Sequence, residues 1–300
     1  NKLTSALDDG HSRAMYSAFA SAQLAYDEWL SLDLTARNDW SSTLPKKNNS
    51  FFYPSASLSW VFSDFMRSID HKLPSWITFA KLRVSAAQVG KDPAPYNLYN
   101  VRKYQFEMGN RKPINNTIKL NANLKPEIKT SYEVGVDMKF LDNRLGFDFT
   151  YYYNTTKNQA MLVDASSPWT QQWVNAGKIN NTGVEFMLYG TPVKTRDFQF
   201  DITANLAHNR STVKELADGV NRVYFAGDSN MPVKVGAVKG GKLGDIFANN
   251  LMQRDAQGRV IIGDDGLPMA ATGDGNLEQY LLDHPIGNIQ PDLLMSITPT

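Results

Sequence analysis

Two groups of side chains in this sequence have the chemistry to bind a polar solute. The first is charged, at alternate positions of otherwise apolar runs: Asp33, Arg37, Lys81, Arg83, Glu133, Asp137, Lys139, Asp148, Glu185 and Asp201. The second is aromatic and lies in polar connecting segments: Tyr96, Tyr99, Tyr104, Trp169 and Trp173. Trp and Tyr rings present a flat apolar face with a polar handle, which suits stacking on a sugar ring or holding a peptide side chain.

Each group also has a purely structural explanation. Charges on one face of a strand can pair across neighbouring strands, since charges removed from water need partners. The aromatic residues can pack their own loops or meet a partner protein. Our hypothesis is that the charges line a transport path and that the aromatic rings contact ligand. The structural explanations stay open at this point.

Catalysis and metal binding find little support in the sequence. There is no cysteine, and the four histidines are scattered without the spacing of metal ligands. The segment from Asp255 to Gly266 reads as two glycine-containing turns, because it lacks the spaced ligands and closing Glu of a calcium loop. No nucleophile elbow or phosphate-binding loop occurs. We predict no catalytic site, no metal and no cofactor. The near balance of 31 basic and 30 acidic residues argues against a nucleic-acid partner.

Strict alternation of apolar and polar residues shows which elements position these side chains. From Thr130 to Phe140 the even positions are apolar, whereas the odd positions are polar or glycine. After Asp142 and Asn143 the pattern restarts in opposite phase at Leu145, which predicts a long hairpin. Similar runs begin near residues 16, 30, 55, 80, 183, 198 and 291. The sequence predicts an all-β protein of about nine or ten strands. Helical turns are expected only at 212–216 and 276–282.

Three features favour a transmembrane antiparallel β-barrel over a soluble sheet. The runs reach about eleven residues, enough for a tilted strand to cross a bilayer. Short turns alternate with long connections, predicted at about 89–129, 154–180 and 211–288, as in outer-membrane barrels with long extracellular loops. Aromatic residues gather at predicted strand ends, namely Trp29, Trp40, Trp76, Tyr151 and Tyr153. No run of 18 apolar residues could form a membrane-spanning helix.

The predicted strands form an incomplete barrel. An open sheet leaves unpaired edge amides, for which lipid offers no partner. We therefore expect residues 1–300 to be an excerpt of the barrel domain of a longer chain. Its apolar face should touch outer-membrane lipid, and its charged face should point inward, because a basic side chain at mid-bilayer costs about 2–4 kcal/mol.

Several short motifs resemble the SusC/RagA-like family of TonB-dependent outer-membrane transporters. Residues 123–127, Asn-Leu-Lys-Pro-Glu, and 132–137, Tyr-Glu-Val-Gly-Val-Asp, match its "N-x-L-K-P-E … E-x-G-x-D" stretch. Residues 175–185 match its "N-x-G-x-I-x-N-x-G-V-E". Further matches follow in order at 37–42, 53–55, 82–85, 141–145, 151–154 and 285–292. The resemblance covers most of the chain from Arg37 to Asp292.

This resemblance implies a 22-stranded barrel filled by an N-terminal plug, which lies outside this chain. It also implies energy supplied through TonB, a SusD-like surface lipoprotein acting as a lid, and import of oligosaccharides or peptides into a Gram-negative bacterium. Three alternatives remain: a siderophore or cobalamin receptor of the same mechanism, a barrel-anchored surface adhesin, and a water-soluble glycan-binding module.

Overall fold

Long antiparallel strands dominate the protein. The computed structural model describes residues 12–71, 73–100, 103–107, 110–114, 116–175, 177–226, 233–248, 252–255, 257, 259–270 and 285–300. In chain order the elements are β1 (Met15–Tyr26), β2 (Leu30–Ser41), β3 (Ser50–Val61), α1 (Phe62–Ser68), β4 (Ile77–Lys91), β5 (Lys103–Glu107), β6 (Asn110–Ile114), β7 (Ile118–Lys119), β8 (Glu127–Phe140), β9 (Leu145–Lys157), β10 (Ala160–Asp164), β11 (Gln171–Asn175), β12 (Lys178–Lys194), β13 (Gln199–Glu215), β14 (Arg222–Ala226), β15 (Val233–Val238), β16 (Asp245–Ala248), β17 (Gly287–Asn288) and β18 (Leu294–Pro299).

Nine of these strands form one sheet, in the order β1-β2-β3-β4-β8-β9-β12-β13-β18. Every neighbouring pair is antiparallel. Each of the eight strands before β18 has 12 to 17 residues. The prediction of an all-β antiparallel sheet is confirmed. Within the described residues, no helix is long and apolar enough to cross a membrane.

The sheet has one apolar face and one polar face. Val136 lies directly opposite Leu82 on one side and Phe149 on the other, and residues directly opposite each other point to the same face. The apolar side chains are open rather than covered by a second sheet: Val134 is 43% exposed, Phe149 38% and Leu188 40%. A soluble sheet would bury this face on a core, so its exposure fits contact with lipid.

The two ends of the sheet differ in their connections. At what we call the short-turn end, the connections are residues 27–29, 62–76, 141–144 and 195–198. At the long-loop end they are residues 42–49, 92–126, 158–177 and 216–293. Asp27 and Glu28 both have positive φ, a backbone form whose twist matches a tight β-hairpin. The connections 92–126 and 158–177 begin later and end earlier than the sequence predicts, because the strands beside them are longer. The third connection begins later and also ends later, at residue 293, because β18 begins only at Leu294.

The long connections carry small sheets of their own. β5 pairs with β6, β10-β11-β7 form a second small sheet, and β14-β15-β16-β17 form a third. At the same end of the molecule, Leu44, Phe51 and Leu124 form a buried cluster, with Tyr53 and Leu98 packed against it. Leu124 is fully buried in this cluster, so it fixes the connection before β8 to the long-loop ends of β2 and β3.

One sequence prediction about local structure is wrong. Residues 212–215, expected to form a helical turn, belong to β13, because their backbone continues the ladder with β12 up to Glu215. The segment expected at 276–282 lies outside the described residues. Conversely, helix α1 was not predicted. It is held by Phe65, whose ring lies 4.8 Å from that of Trp29 and 5.7 Å from that of Trp60.

Two aromatic residues do not lie where the sequence predicts. Tyr151 is at the middle of β9 and Tyr153 is four residues from its end, because the strand continues through Thr155 and Thr156 to Lys157. Trp29 and Trp76 do lie at the short-turn end, and Trp40 is one residue from the outer end of β2.

Candidate functional site

The strand register places all ten predicted charges on the polar face of the sheet. The row that contains Asp33 runs through Ser57, Ser85 and Glu133 in successive strands. It continues through Tyr152 and Gly183 to Asn209. The other members share this face by the two-residue period of their strands: Arg37, Lys81, Arg83, Asp137, Lys139, Asp148, Glu185 and Asp201.

Several of these charges have structural partners. The Arg83 guanidinium donates from Nη2 to both carboxylate oxygens of Asp148 at 2.8 Å. Arg37 Nε donates to Asp39 at 2.7 Å. Asp201 accepts from the Thr191 hydroxyl at 2.6 Å. Part of the charged face is therefore held together across strands, as the structural explanation anticipates.

Other charges on this face are not paired. Among the described residues, no ion pair or side-chain hydrogen bond is present for Asp33, Lys81, Glu133, Asp137 or Glu185. Asp137 and Asp148 lie directly opposite each other, and Lys81 lies opposite Asp137. These unpaired groups are the ones available to a solute or to another part of the protein. Their role in lining a transport path stays a prediction.

Three glycines on the polar face accommodate large neighbours. Gly135 lies directly opposite Arg83, whose guanidinium crosses it to reach Asp148. A Cβ on Gly135 would lie 2.9 Å from Arg83 Nη2. Tyr152 lies flat over Gly183 in the same way and donates to Asn209 at 3.2 Å; Tyr189 lies over Gly146. Long side chains thus lie along the wall instead of projecting from it.

A buried carboxylate organises the long-loop end. Asp92, directly after β4, accepts hydrogen bonds from the hydroxyls of Ser41 at 2.5 Å and Thr43 at 2.8 Å. Arg13, which precedes β1, completes the site with a bidentate ion pair at 2.6 and 3.0 Å. Burial alone would raise the pKa of the Asp92 carboxyl, but these donors outweigh it and hold the pKa below its ordinary value. Asp92 therefore joins three segments that are distant in sequence.

An amide side chain joins two of the long connections. Asn175 Oδ1 accepts the Lys125 N–H at 2.7 Å, and Asn175 Nδ2 donates to the Lys125 carbonyl at 2.9 Å. The same Nδ2 donates to the Asn158 carbonyl at 2.9 Å. Lys125 and Asn175 belong to two of the motifs on which the family resemblance rests, so these motifs meet in space.

A cavity of about 520 Å³ lies between these anchors. Its lining residues come from the segment before β1, the long-loop ends of β4 and β8, the connection between those two strands, and the connection from β9 to β12: Arg13, Lys91, Asp92, Pro93, Ala94, Pro95, Lys125, Glu127, Ala160 and Trp173. Lys91 and Glu127 are directly opposite each other. They form the next pair on the same face after Val89 and Lys129, which are also opposite each other. The cavity is therefore at the long-loop end of the polar face.

The structure brings one of the five candidate aromatic residues to this cavity. Trp173, in β11, lines it. Trp169 is half-buried and is not among its lining residues. The Tyr96 hydroxyl accepts the backbone N–H of Ser12 at 2.9 Å, and Tyr99 is 64% exposed. Tyr104 lies in β5, and its side chain is outside the described residues. Ligand contact by any of the five stays a prediction.

Sequence reasoning missed the charged residues of the cavity. Lys91 and Glu127 lie at strand ends, where the alternation fades, and Lys125 lies just before β8. Arg13 and Asp92 meet only through tertiary structure. The neighbouring motif residues 123–127 were the available signal. No group of three or more potential metal ligands occurs in the part of the chain that the structure describes.

These features define a class of protein. Long antiparallel strands, one exposed apolar face, one charged face and alternating short and long connections form the wall of a transmembrane β-barrel. The family model described as TonB dependent receptor-like, beta-barrel, matches residues 2–234. The chain belongs to this family, whose members are outer-membrane proteins.

The curated relatives of this chain are also TonB-dependent receptors. The chain is 27% identical over 285 residues to TonB-dependent receptor SusC of Bacteroides thetaiotaomicron, which covers 88% of this chain and 27% of SusC. It is 26% identical over 215 residues to TonB-dependent receptor P3 of Formosa agariphila, covering 68% of this chain and 21% of the receptor. The chain thus spans about a quarter of the length of these curated relatives.

A solved structure shows the same fold. A chain of the RagAB peptide transporter superposes with a TM-score of 0.73 at 21% identity, covering 95% of this chain and 31% of that chain. A chain of the RagAB peptide importer in the closed-closed state superposes with the same TM-score of 0.73, at 20% identity, covering 96% of this chain and 32% of that chain. The predicted resemblance to SusC/RagA-like barrels is confirmed.

Proposed function

We propose that this chain is part of the barrel wall of a TonB-dependent importer that carries oligosaccharides or peptides across the outer membrane of a Gram-negative bacterium. The carrying observation is the two-faced sheet, whose apolar face is exposed and whose polar face carries unpaired charges. Lipid excludes those charges, so the polar face lines the barrel interior. The long connections lie outside the cell, and the cavity beside Trp173 faces incoming solute.

The proposed partners follow from the relatives. SusC resembles 88% of this chain, and the similar solved structure is named a peptide transporter. We assign a SusD-like lipoprotein as the lid over the long connections, and TonB as the energy source acting through a plug in the rest of the protein. The relatives are named as TonB-dependent receptors and as a peptide transporter, so transport is the activity that we propose.

The test is uptake by intact cells. A strain lacking the full-length gene, the complemented strain and the wild type are given labelled oligosaccharides and peptides. Uptake should require the gene and should stop when the proton gradient that drives TonB is dissipated. Purification of the tagged protein in detergent should bring down a surface lipoprotein encoded beside it.

Two other functions give different outcomes. Competition by a ferric siderophore or cobalamin, with no effect of glycan or peptide, would identify a receptor for those cargoes. Surface binding that persists without the gradient, with no accumulation inside the cell, would identify an adhesin and overturn the import proposal.

A further inference from the structure

The cavity beside Trp173 has an unusual balance of charge. The Arg13 guanidinium and the Asp92 carboxylate neutralise each other through their bidentate ion pair. What remains is Lys91, Lys125 and Glu127, which leaves a net charge of +1 on the lining. Among the described residues, neither lysine has an ion-pair partner within 4.0 Å. The lining therefore includes two lysines with which an anionic ligand could pair.

The positions of the two lysines are fixed by the backbone. Lys91 is in register with Glu127 at the outer end of the ladder between β4 and β8. The backbone of Lys125 is clamped on both sides by the Asn175 amide. A charge held on an anchored backbone loses less conformational freedom when it binds, which favours a specific contact over a diffuse one.

The rest of the lining is uncharged. It includes Pro93, Pro95, Ala160 and Trp173. The volume of about 520 Å³ lies in the range of small-molecule sites. An indole face packs against a sugar ring or an apolar peptide side chain. Two cations beside such a ring fit a ligand that combines a carboxylate with an apolar face.

We propose that this cavity binds the carboxylate of the imported molecule, with Lys91 and Lys125 holding the charge and Trp173 packing against the adjoining ring or side chain. This inference rests on the proposed import function and adds the substrate class. The carboxylate can come from a uronic-acid sugar or from a short peptide with a free carboxyl group. Both present the same chemistry to the lysines.

Binding to the purified full-length protein in detergent tests the site directly. One arm compares a uronate oligosaccharide with its carboxyl-reduced form; the other compares a short peptide with its C-terminal amide. We expect the wild type to bind one of the two acidic ligands more tightly than its neutral counterpart. Lys91→Gln combined with Lys125→Gln should weaken that acidic ligand about fivefold and leave the neutral form unchanged.

Matched controls separate the cavity from general surface charge. Lys46 is exposed in the connection from β2 to β3 at the same end, so Lys46→Gln removes the same charge outside the cavity. Trp173→Ala should weaken acidic and neutral ligands alike, whereas Trp169→Ala should not. Heat-modifiable mobility on a gel reports correct folding of each variant. If the double variant does not fold, Lys91→Gln alone carries the test.

Several results would overturn the assignment. These are equal binding of acidic and neutral ligands by the wild type, equal losses for both in the lysine variant, or the same loss in Lys46→Gln. Failure of the import proposal is distinguishable, because it appears as gene-independent uptake in cells while the binding preference of the purified protein persists.

Discussion

The nine-stranded sheet and the loops at its outer end are stabilised in different ways. In the sheet, side chains alternate between the two faces along each strand, and the pairing of neighbouring strands keeps apolar residues together on one face. In the long-loop end, three unlike anchors do the work: the Asp92 carboxylate, the Asn175 amide and the buried Leu124 side chain. The sheet is specified by a pattern, and the loops by individual contacts.

This difference determines how each region responds to mutation. A pattern distributed over many residues tolerates a polar change on the polar face, but not a charge on the lipid face. A region that depends on single contacts changes locally when one of them is lost. The following substitutions test this distinction, from the largest expected effect to the smallest.

The largest effect should follow a charge on the apolar face. Val136→Asp places a carboxylate where Leu82 and Phe149 flank it towards lipid. The cost is of the order of the roughly 2–4 kcal/mol of a basic residue at mid-bilayer, or somewhat less. We expect the fraction of heat-modifiable, membrane-assembled protein to fall sharply. Glu133→Ser, in the same strand on the polar face, should assemble normally. Equal yields from both variants would contradict the facing of the sheet.

A close contact on the polar face comes next. In Gly183→Ala the new methyl group would overlap the Tyr152 ring and lie 2.7 Å from the His208 carbonyl oxygen. Overpacking of this kind costs about 1–3 kcal/mol. The temperature at which the folded band is lost on a gel should fall. Gly190→Ala is the matched control in β12, because its nearest neighbours are at 3.6 and 3.7 Å. A similar loss for both variants would show that the Tyr152 contact is unimportant.

Loss of the Asp92 carboxylate should release the segment before β1 without unfolding the sheet. Asp92→Asn removes the ion pair with Arg13 and an acceptor for two hydroxyls, at a cost of about 1–3 kcal/mol locally. Hydrogen exchange should rise around Ala14 and Ser42, because the Ser42 N–H donates a hydrogen bond to the Ala14 carbonyl oxygen at 3.0 Å. Asp218→Asn is the control, because Asp218 is exposed and its side chain has no hydrogen bond or ion pair within the described residues. Unchanged exchange in Asp92→Asn would rule out this anchor.

The same carboxylate predicts a pH dependence. The pKa of Asp92 is lower in the folded protein than its ordinary value of 3.8, so the unfolded chain takes up the proton more readily. Its stabilising contribution is present above pH 3.8 and is lost as the pH falls through the folded-state pKa. The rise in exchange near Ala14 on acidification should be absent in Asp92→Asn, which has already lost the charge.

The smallest effect should come from the amide clamp. Asn175→Ala leaves the Lys125 N–H and two carbonyl groups without their side-chain partner, at about 1 kcal/mol. Exchange should increase at Lys125 and Asn158 while the sheet stays protected. Gln172→Ala in the same strand is the comparison, because no hydrogen bond of its side chain is seen within the described residues. If Asn175→Ala slowed or left exchange unchanged, the two connections would be held together by other contacts.

The sheet could be predicted from the sequence because its information is local and repeated. The alternation from Thr130 to Phe140 fixes both the strand and its faces, and the structure extends it only to Glu127. The extensions were missed because the ladder continues where the alternation has ended. Lys178 and Glu215 still pair at the outer end, with their charged atoms 3.7 Å apart. Backbone pairing there outweighs the local preference that predicted a helical turn.

The candidate site could be predicted only in part. The aromatic residues of the long connections stand out by type, but nothing in the local sequence distinguishes Trp173 from Trp169. Their separation depends on the pairing of β11 with β10 and β7, which is a tertiary event. Arg13 and Asp92 are 79 residues apart, and each looks like an ordinary surface charge until the fold brings them together. Helix α1 is likewise stabilised by Trp29 and Trp60, which lie outside it in sequence.

The Asn175 clamp also bears on how such a mouth can diversify. Because one side chain secures Lys125 and Asn158 together, the two connections stay joined beside the cavity whatever their other residues are. Insertions between residues 165 and 169, in the connection from β10 to β11, would leave these three hydrogen bonds in place. New cargo preferences could thus arise in such loops, without rebuilding the wall that holds them.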